Sequence, residues 1–387
     1  MTRTVLVTGA RAAAALDIAR DFAAAGYRTF CADSASARIS RWSRRTGTFL
    51  SYPAPRADAA AFAKRICELV DELSVDLIVP TCEEAFHLAA PALAPRLADR
   101  LFQPPLATLR DLHDKYRFAR LAAGFGLPVP ETHLLESEAD VARFADGSAG
   151  WVFKPCFSRF GEAALVGPAA GELRRVEPAP GRGWVAQRRV PGGEACFYAV
   201  ARDGELRAFA AYRSDWRLGG GASFGFEPLD AAKAVALREI AAVLAGRLSL
   251  TGQFACDAIF DANGQPWLIE CNPRATSGVH FLAGEGRLAA AIDGSGEDCL
   301  GGDGRPRHLL PAMLSFGLGV ALRRGDLGGW IAALREGRDV IGQPGDRLPA
   351  LGAFADGLGF AFRGMLRGAS ASAMTVADIA WDGEDLP

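Results

Sequence analysis

The stretch GQFACDAIFDANGQPWLIECNPR, Gly252–Arg274, is where the fold of this chain can be read. Two apolar runs flank Asn263-Gly264, and an Asn-Gly pair between such runs is a hairpin signal. The pattern predicts strands over 252–260 and 266–272. A two-residue loop sets Asp257 directly opposite Glu270, whereas a four-residue loop sets Asp257 opposite Leu268, one diagonal from Glu270. Both registers put Asp257, Glu270 and Asn272 on one face, because side chains alternate with period two. Facing like charges in a sheet are unfavourable, so two carboxylates and an amide at the end of an apolar strand call for a cation. Ligands that offer only oxygen point to Mg²⁺, with Mn²⁺ as a substitute, rather than to zinc. Arg274 continues the alternation and is placed to meet anionic oxygens beside that cation. The alternative is a solvated acidic edge. Trp267, Leu268 and Ile269 argue instead for a buried strand.

Upstream of the hairpin, a helix is expected over about 231–248, preceded by a glycine-rich loop at Gly219–Gly221. Before that come short strands near 151–154, 163–166, 184–190, 195–201 and 206–212. The N-terminus reads differently. Thr4–Thr8, an Ala-rich amphipathic stretch to Ala25 and the run Tyr27–Ala32 form a β-α-β opening, which implies a parallel sheet. Its first turn, Gly9-Ala10-Arg11-Ala12, lacks the second and third glycines of the dinucleotide fingerprint, so nicotinamide binding is set aside. A helix over about 58–73 and a strand over 75–80 lead to Thr81-Cys82-Glu83-Glu84. Ligands gather beyond the carboxyl ends of parallel strands, which makes Glu83 a candidate substrate contact. Glu84 reads as the acidic start of the next helix. Residues 111–126 look helical, and Leu127-Pro-Val-Pro130 ends that helix. The last ninety residues read as mainly helical, with Gly and Pro interruptions.

The bulk properties narrow the function. A chain of 387 residues with 50% hydrophobic and 23% charged residues is an ordinary globular composition with room for several structural units. A formal net charge of −2 provides no basic field for nucleic acid. The apolar run Leu309–Leu322 is too short to span a bilayer and is interrupted by Pro311, Gly317 and Gly319. Eight cysteines without a Cys-x-x-Cys pair argue against zinc and against a disulfide framework. With no signal-like segment at the start, the chain reads as cytoplasmic. Of 43 Lys and Arg residues only four are lysines, Lys64, Lys115, Lys154 and Lys233. A compact ammonium is a different tool from a planar guanidinium, so these positions stand out.

Glu270-Cys-Asn272-Pro-Arg274, with Asp257 on the preceding strand, resembles the metal-binding strand end of the ATP-grasp superfamily. Asp114-Lys115 and Phe153-Lys154-Pro155 resemble that family's two phosphate-binding lysine motifs. Gln187-Arg188-Arg189-Val190-Pro191-Gly192-Gly193-Glu194 resembles its interlobe hinge. The resemblance covers about residues 1–290 and implies an α/β chain. A Rossmann-like pre-ATP-grasp domain (1–112) would be followed by a two-lobed α+β ATP-grasp domain (113–296, lobes about 113–187 and 188–296). A mainly helical C-terminal region (297–387) would complete it.

The same resemblance implies ATP bound by Lys115, Lys154, Ser158, Gln187, Arg188, Val190 and Glu194, and Mg²⁺ on Asp257, Glu270 and Asn272. Lys154 and Arg274 would act on the transferring phosphoryl group. The implied activity is that of a carbon–nitrogen ligase. A small-molecule carboxylic acid becomes an acyl phosphate, and a nucleophile such as an amine then displaces phosphate. Glu83, Arg213, Ser277 and His280 are candidate substrate contacts, and a homodimer is compatible with this reading. The loop Cys156–Gly161 departs from the family in having one glycine where several usually cradle phosphates; Ser158 and Arg159 are candidates to replace those backbone contacts. Two alternatives stay open: carboxyphosphate chemistry on bicarbonate, and a nucleotide-binding module that does not turn over.

Overall fold

The computed structural model describes residues 2–159, 161, 163–218 and 221–387. Gly219 and Gly220 of the glycine-rich loop and Phe160 of the presumed phosphate loop lie outside the described residues. The chain opens with β1 (Thr4–Thr8), α1 (Ala13–Ala24), β2 (Arg28–Asp33), α2 (Arg38–Arg41), β3 (Thr48–Ser51), α3 (Ala59–Leu73) and β4 (Leu77–Val79). These strands form a parallel sheet in the order β3-β2-β1-β4. All five residues of β1 are buried, as expected of a central strand covered on both faces. The Asp58 carboxylate caps α3 by accepting from Ala61 N at 2.8 Å, and Phe62, Ile66, Leu69 and Val70 form its buried stripe. Gly9 turns the chain out of β1 with φ +68°, and a Cβ there would lie 2.7 Å from both Glu84 Oε1 and Thr81 Oγ1. That crowding is why the turn needs glycine.

Two short helices, α4 (Glu84–Leu88) and α5 (Ala94–Leu97), lead to α6 (Leu106–His113) and α7 (Lys115–Gly124). The single helix expected over 111–126 is in fact two, broken at Asp114. Asp114 has an extended backbone, and its carboxylate accepts from Tyr116 N (2.9 Å) and Arg117 N (3.1 Å). It therefore starts a new helix rather than continuing the old one. The next lobe holds β5 (Thr132–Leu135), α8 (Glu138–Ala142), β6 (Trp151–Pro155), β7 (Leu165–Val166) and β8 (Trp184–Arg188). It forms an antiparallel sheet in the order β5-β8-β6-β7.

A larger sheet follows, built on β9 (Gly193–Arg202), β10 (Glu205–Arg217), β11 (Ser223–Pro228), β12 (Gly252–Phe260) and β13 (Pro266–Asn272), with α9 (Ala231–Arg247) on one face. β11 lies in a stretch for which the sequence suggested no strand. After α10 (Val279–Leu282) and α11 (Arg287–Asp293), the short strands β14 (Cys299–Leu300), β15 (Arg307–His308) and β16 (Arg338–Asp339) extend this same sheet beyond residue 296. Between and after them run α12 (Leu310–Ala312), a π-type turn over Met313–Gly317, α13 (Leu318–Arg324), α14 (Leu327–Glu336), α15 (Leu348–Arg367) and α16 (Ala371–Met374). Among the described residues no helix is long and apolar enough to cross a membrane. The final segment returns to the first sheet. Arg11, in the turn after β1, pairs with Asp33 and Asp378 (both 2.5 Å) and donates to the Thr375 carbonyl at 2.8 Å.

Candidate functional site

The β12–β13 hairpin adopts neither of the two uniform registers. Near the turn Phe260 pairs with Pro266, Ile259 with Trp267 and Ala258 with Leu268; the ladder then shifts so that Asp257 faces Glu270 and Ala255 faces Asn272. Ile269 is the extra residue of a β-bulge. The turn is held by Asp261, whose carboxylate accepts from Asn263 N (2.9 Å), Gln265 N (3.0 Å) and Trp267 Nε1 (3.0 Å). Phe254, Cys256, Ala258, Phe260, Leu268 and Cys271 face the core with Leu237, Ile240 and Leu244 of α9. Period-two alternation therefore turns Asp257 toward the opposite face, where it meets Glu270 across the strands.

Two lysines converge on this pair. Lys115, the first residue of α7, reaches within 3.6 Å of Glu270 Oε2 and donates to the Ser158 carbonyl at 3.2 Å. Lys154, near the end of β6, lies 3.9 Å from the same oxygen and donates to the Ile269 carbonyl at 3.0 Å. The bulge thus exposes the backbone acceptor that seats Lys154. Burial alone would raise the Glu270 carboxyl, but the two ammoniums outweigh it and hold it down to about 2. Burial and the facing Glu270 charge push Asp257 the other way, to about 7. Burial also depresses Lys154, to about 8, against the pull of Glu270. The pair therefore sheds its first proton from Glu270 and keeps its second on Asp257, as facing carboxylates must.

Arg274 donates to Asn272 Oδ1 (3.2 Å) and to the Ala275 carbonyl (3.4 Å), lies 4.0 Å from Glu83 Oε1, and has a buried Nε with no protein partner. Asp257, Glu270 and Asn272 supply only oxygen donors on one sheet face, which fits a hard divalent cation. Among the described residues no group of three or more His, Cys, Asp or Glu is placed to hold a metal ion. The candidate set stands on two carboxylates and an amide.

Gln187 and Arg188 end β8, Glu194 belongs to β9, and Val190 lies in the connection between these two strands. Gln187 is buried and donates from Nε2 to Thr132 Oγ1 at 3.1 Å. The Arg188 guanidinium lies 5.0 Å from the Trp151 ring centroid. Val190 is half-buried between β8 and β9, and Glu194 is ion-paired with Arg217. Gly192 crosses so close to β12 that a Cβ would fall 2.0 Å from the Phe260 carbonyl oxygen. In the loop after β6, Ser158 gives its carbonyl to Lys115, and Arg159 turns to Glu83 (Nε to Oε2 2.6 Å), Asp382 (2.7 Å) and the Trp381 carbonyl (2.7 Å). Arg159 is thereby committed to the protein. Glu83 is fully buried; burial would raise it, but Arg159, His113 and Arg274 bring it to about 2. Glu84 accepts from Thr8 Oγ1 (2.8 Å) and Thr81 N (3.1 Å) and fastens its own turn.

Of the other expected substrate contacts, Ser277 lies partly exposed just past Arg274, its carbonyl accepting from His280 N. Arg213 is exposed and paired with Asp215 at 3.3 Å. His280 is corrected: it is buried, Nδ1 lies 2.9 Å from Asp17 Oδ2, and its carbonyl accepts from Arg307. The short helix α10 turns this ring into the core against α1. The residue that the sequence did not single out is His113. It ends α6 two positions before Lys115, with its ring 4.9 Å from Phe86 and 5.7 Å from Phe157, and its buried Nε2 has no protein partner. Adjacency to Asp114-Lys115 was the one available signal.

No protein-family model matches the chain, and no curated protein sequence is significantly similar to it. Solved structures are similar. N5-carboxyaminoimidazole synthetase from Staphylococcus aureus aligns with a TM-score of 0.62 at 14% identity, covering 79% of this chain and 82% of that one. The biotin carboxylase domain of Hydrogenobacter thermophilus 2-oxoglutarate carboxylase aligns at 0.61 and 15%, covering 77% and 70%. L-amino acid ligase from Bacillus licheniformis aligns at 0.59 and 15%, covering 75% of each. The chain has the ATP-grasp fold that these enzymes share.

Proposed function

We propose that this protein is an ATP- and Mg²⁺-dependent ligase that activates a carboxylate as an acyl phosphate and passes it to an amine or another nucleophile. The observation that carries this reading is the convergence of Lys115 and Lys154 on Glu270, directly opposite Asp257, at the end of a hairpin that continues into Arg274. The structural neighbours, which include a synthetase, a carboxylase and an amino acid ligase, support it. A Mg²⁺ on Asp257, Glu270 and Asn272 would supply charge neutralisation for the ATP phosphates. Lys115 and Lys154 fix the β- and γ-phosphate oxygens, and Arg274 holds the transferring group beside the acceptor carboxylate. The substrate carboxylate attacks the terminal phosphorus, the bond to the bridging oxygen breaks, and ADP leaves. The nucleophile then displaces phosphate. This is chemistry of positioning and charge rather than of an activated side chain. Gln187, Arg188, Val190 and Glu194 are assigned to the adenosine. Ser158 is assigned to the phosphates, and Arg213 and Ser277 to the acceptor side; Glu83, fully buried on Arg159 and Trp381 N, holds the loop after β6 rather than substrate.

The test is ADP release across a panel of carboxylic acids, with hydroxylamine present to trap acyl phosphate as hydroxamate. Acid-dependent ADP release with hydroxamate supports the reading; release stimulated by bicarbonate alone moves it to carboxyphosphate chemistry. A second reading, nucleotide binding without turnover, has one observation in its favour. Arg159, the cation of the glycine-poor loop, is taken up by Glu83 and Asp382. Tight ATP binding with no ADP release from any acid would establish that reading and end the first.

A further inference from the structure

The second half of α1 lines a cleft of about 670 Å³ that contains none of the residues assigned to nucleotide, cation or acceptor. α1 starts at Ala13, just past the Gly9 turn. At 1.5 Å per residue, Asp21 and Ala24 lie roughly 12–16 Å further along its axis. The rest of the lining comes from Phe281, Ala283 and Arg287 around the α10–α11 connection, and from Arg45, Arg338 and Gln343. Two further lining arginines are structural. Arg20 is buried and engaged by Asp346 (2.8 Å), Asp17 and the carbonyls of Val340 and Ile341. Arg307 is buried on Asp303 (2.7 Å) and the His280 carbonyl (2.9 Å), with its guanidinium 5.4 Å from the Phe281 ring centroid. The buried acids are spent as well. Asp17 serves His280 and Arg20, and the Asp21 carboxylate accepts from Gly284 N, Gly286 N and Ala289 N.

Three other guanidiniums of the lining are not spent. Arg287 and Arg338 are exposed, and their side chains have no hydrogen bond or ion pair among the described residues. Arg45 gives one N–H to the Pro344 carbonyl (2.8 Å) and keeps the others. Against them stands Glu285, the one carboxylate of the lining left without a partner among the described residues. We propose that this cleft binds a small organic dianion, a dicarboxylate or a phosphate monoester, at a site separate from the nucleotide. A guanidinium offers a flat fork of donors that matches carboxylate and phosphate oxygens two at a time. Like charges gathered without counter-charge repel one another, and three unspent forks against one free carboxylate leave two positive charges for a ligand to neutralise. The volume is that of a site for an organic molecule rather than for a bare inorganic ion. Ala23, Ala24, Phe281 and Ala283 supply apolar surface for its carbon skeleton. Arg20 and Arg307, pinned by backbone carbonyls, hold the walls in place before any ligand arrives.

Isothermal titration calorimetry of the full chain at fixed ionic strength tests this, with succinate, glycerol 3-phosphate and inorganic phosphate as probes, each with and without Mg-ADP. Succinate or glycerol 3-phosphate is expected to bind one to one, at least roughly tenfold more tightly than inorganic phosphate. The better of the two identifies the acidic group of the ligand. Arg287→Ala and Arg338→Ala alter exposed, unpaired side chains, so the thermal transition stays in place. Affinity is expected to fall roughly tenfold in each, the worth of one hydrogen bond to a charged group, and Mg-ADP is expected to leave it unchanged. The proposal is overturned if neither organic probe saturates, or if inorganic phosphate binds as tightly as they do. It is overturned equally if both variants bind like the wild type, or if Mg-ADP displaces the probe and so places it in the nucleotide site.

Discussion

At the scale of single residues, Glu270 is where opposing charges are balanced. It takes its charge state from Lys115 and Lys154, and its charge adds to burial, the larger cause, in raising Asp257. Glu270→Ala is expected to lower ATP turnover by at least roughly 100-fold, since it removes a proposed ligand of the cation and the counter-charge on which Lys115 and Lys154 converge. It should also destabilise the protein by about 2–3 kcal/mol, because two buried ammoniums lose their counter-charge. Steady-state ADP release and urea unfolding read the two effects separately, and a variant with undiminished turnover would remove Glu270 from the site. His113 carries a different signature. Its imidazole is ionisable near 6.5 in an unfolded chain, while burial, together with Lys115, Arg274 and Arg159 and against the pull of Glu83, holds it to about 3 in the fold. Between those values the unfolded chain binds a proton that the folded one refuses. Stability is therefore fully present above about 6.5 and falls as pH drops, by up to about 1.4 kcal/mol per pH unit. His87 is lowered for the same first reason, burial, and adds to the slope. His113→Phe should flatten the decline in unfolding free energy measured at pH 7, 6 and 5; an unchanged slope would show that His113 titrates normally.

At the scale of elements, the break between α6 and α7 and the bulge in β13 determine where the two site lysines point. Asp114→Ala removes the acceptor for two backbone N–H groups and is expected to cost about 1 kcal/mol. It also loosens Lys115, the first residue of α7. The expected readout is a modest drop in urea midpoint with a larger loss of nucleotide affinity. A loss of stability alone would separate the cap from the site. The Asn-Gly turn and the alternation of the hairpin were legible, so the facing of Asp257 and Glu270 was within reach of the sequence. The bulge was not, because Trp267, Leu268 and Ile269 are all apolar and hide the one-residue change of phase between Leu268 and Cys271. β14, β15 and β16 were also hidden: two-residue strands have no periodicity, and they form because an existing sheet edge offers them hydrogen bonds.

Over the whole molecule, the C-terminal tail joins α4 to the loop after β6. Trp381 is fully buried, 4.7 Å from the Phe86 ring and 5.4 Å from Phe157, and its carbonyl holds Arg159. Trp381→Ala is expected to cost about 3–5 kcal/mol as a cavity in a packed cluster. It should also speed limited proteolysis within 156–161; cleavage at the wild-type rate would show that the tail does not restrain that loop.

The sequence by itself determined the parts whose information is local. These are the parallel β-α-β opening and the Asn-Gly hairpin with Asp257, Glu270 and Asn272 on one face. Periodicity and turn chemistry act over a few residues, so they can be read from a few residues. Tertiary structure alone decided what depends on partners far apart in the chain. It took His280 away to Asp17, tied Arg159 to Glu83 and a tail more than 200 residues later, set His113 near Glu83, and drew Lys115 and Lys154 together on Glu270. Such outcomes rest on which buried charge finds which counter-charge, and that competition is resolved only when the whole chain has folded.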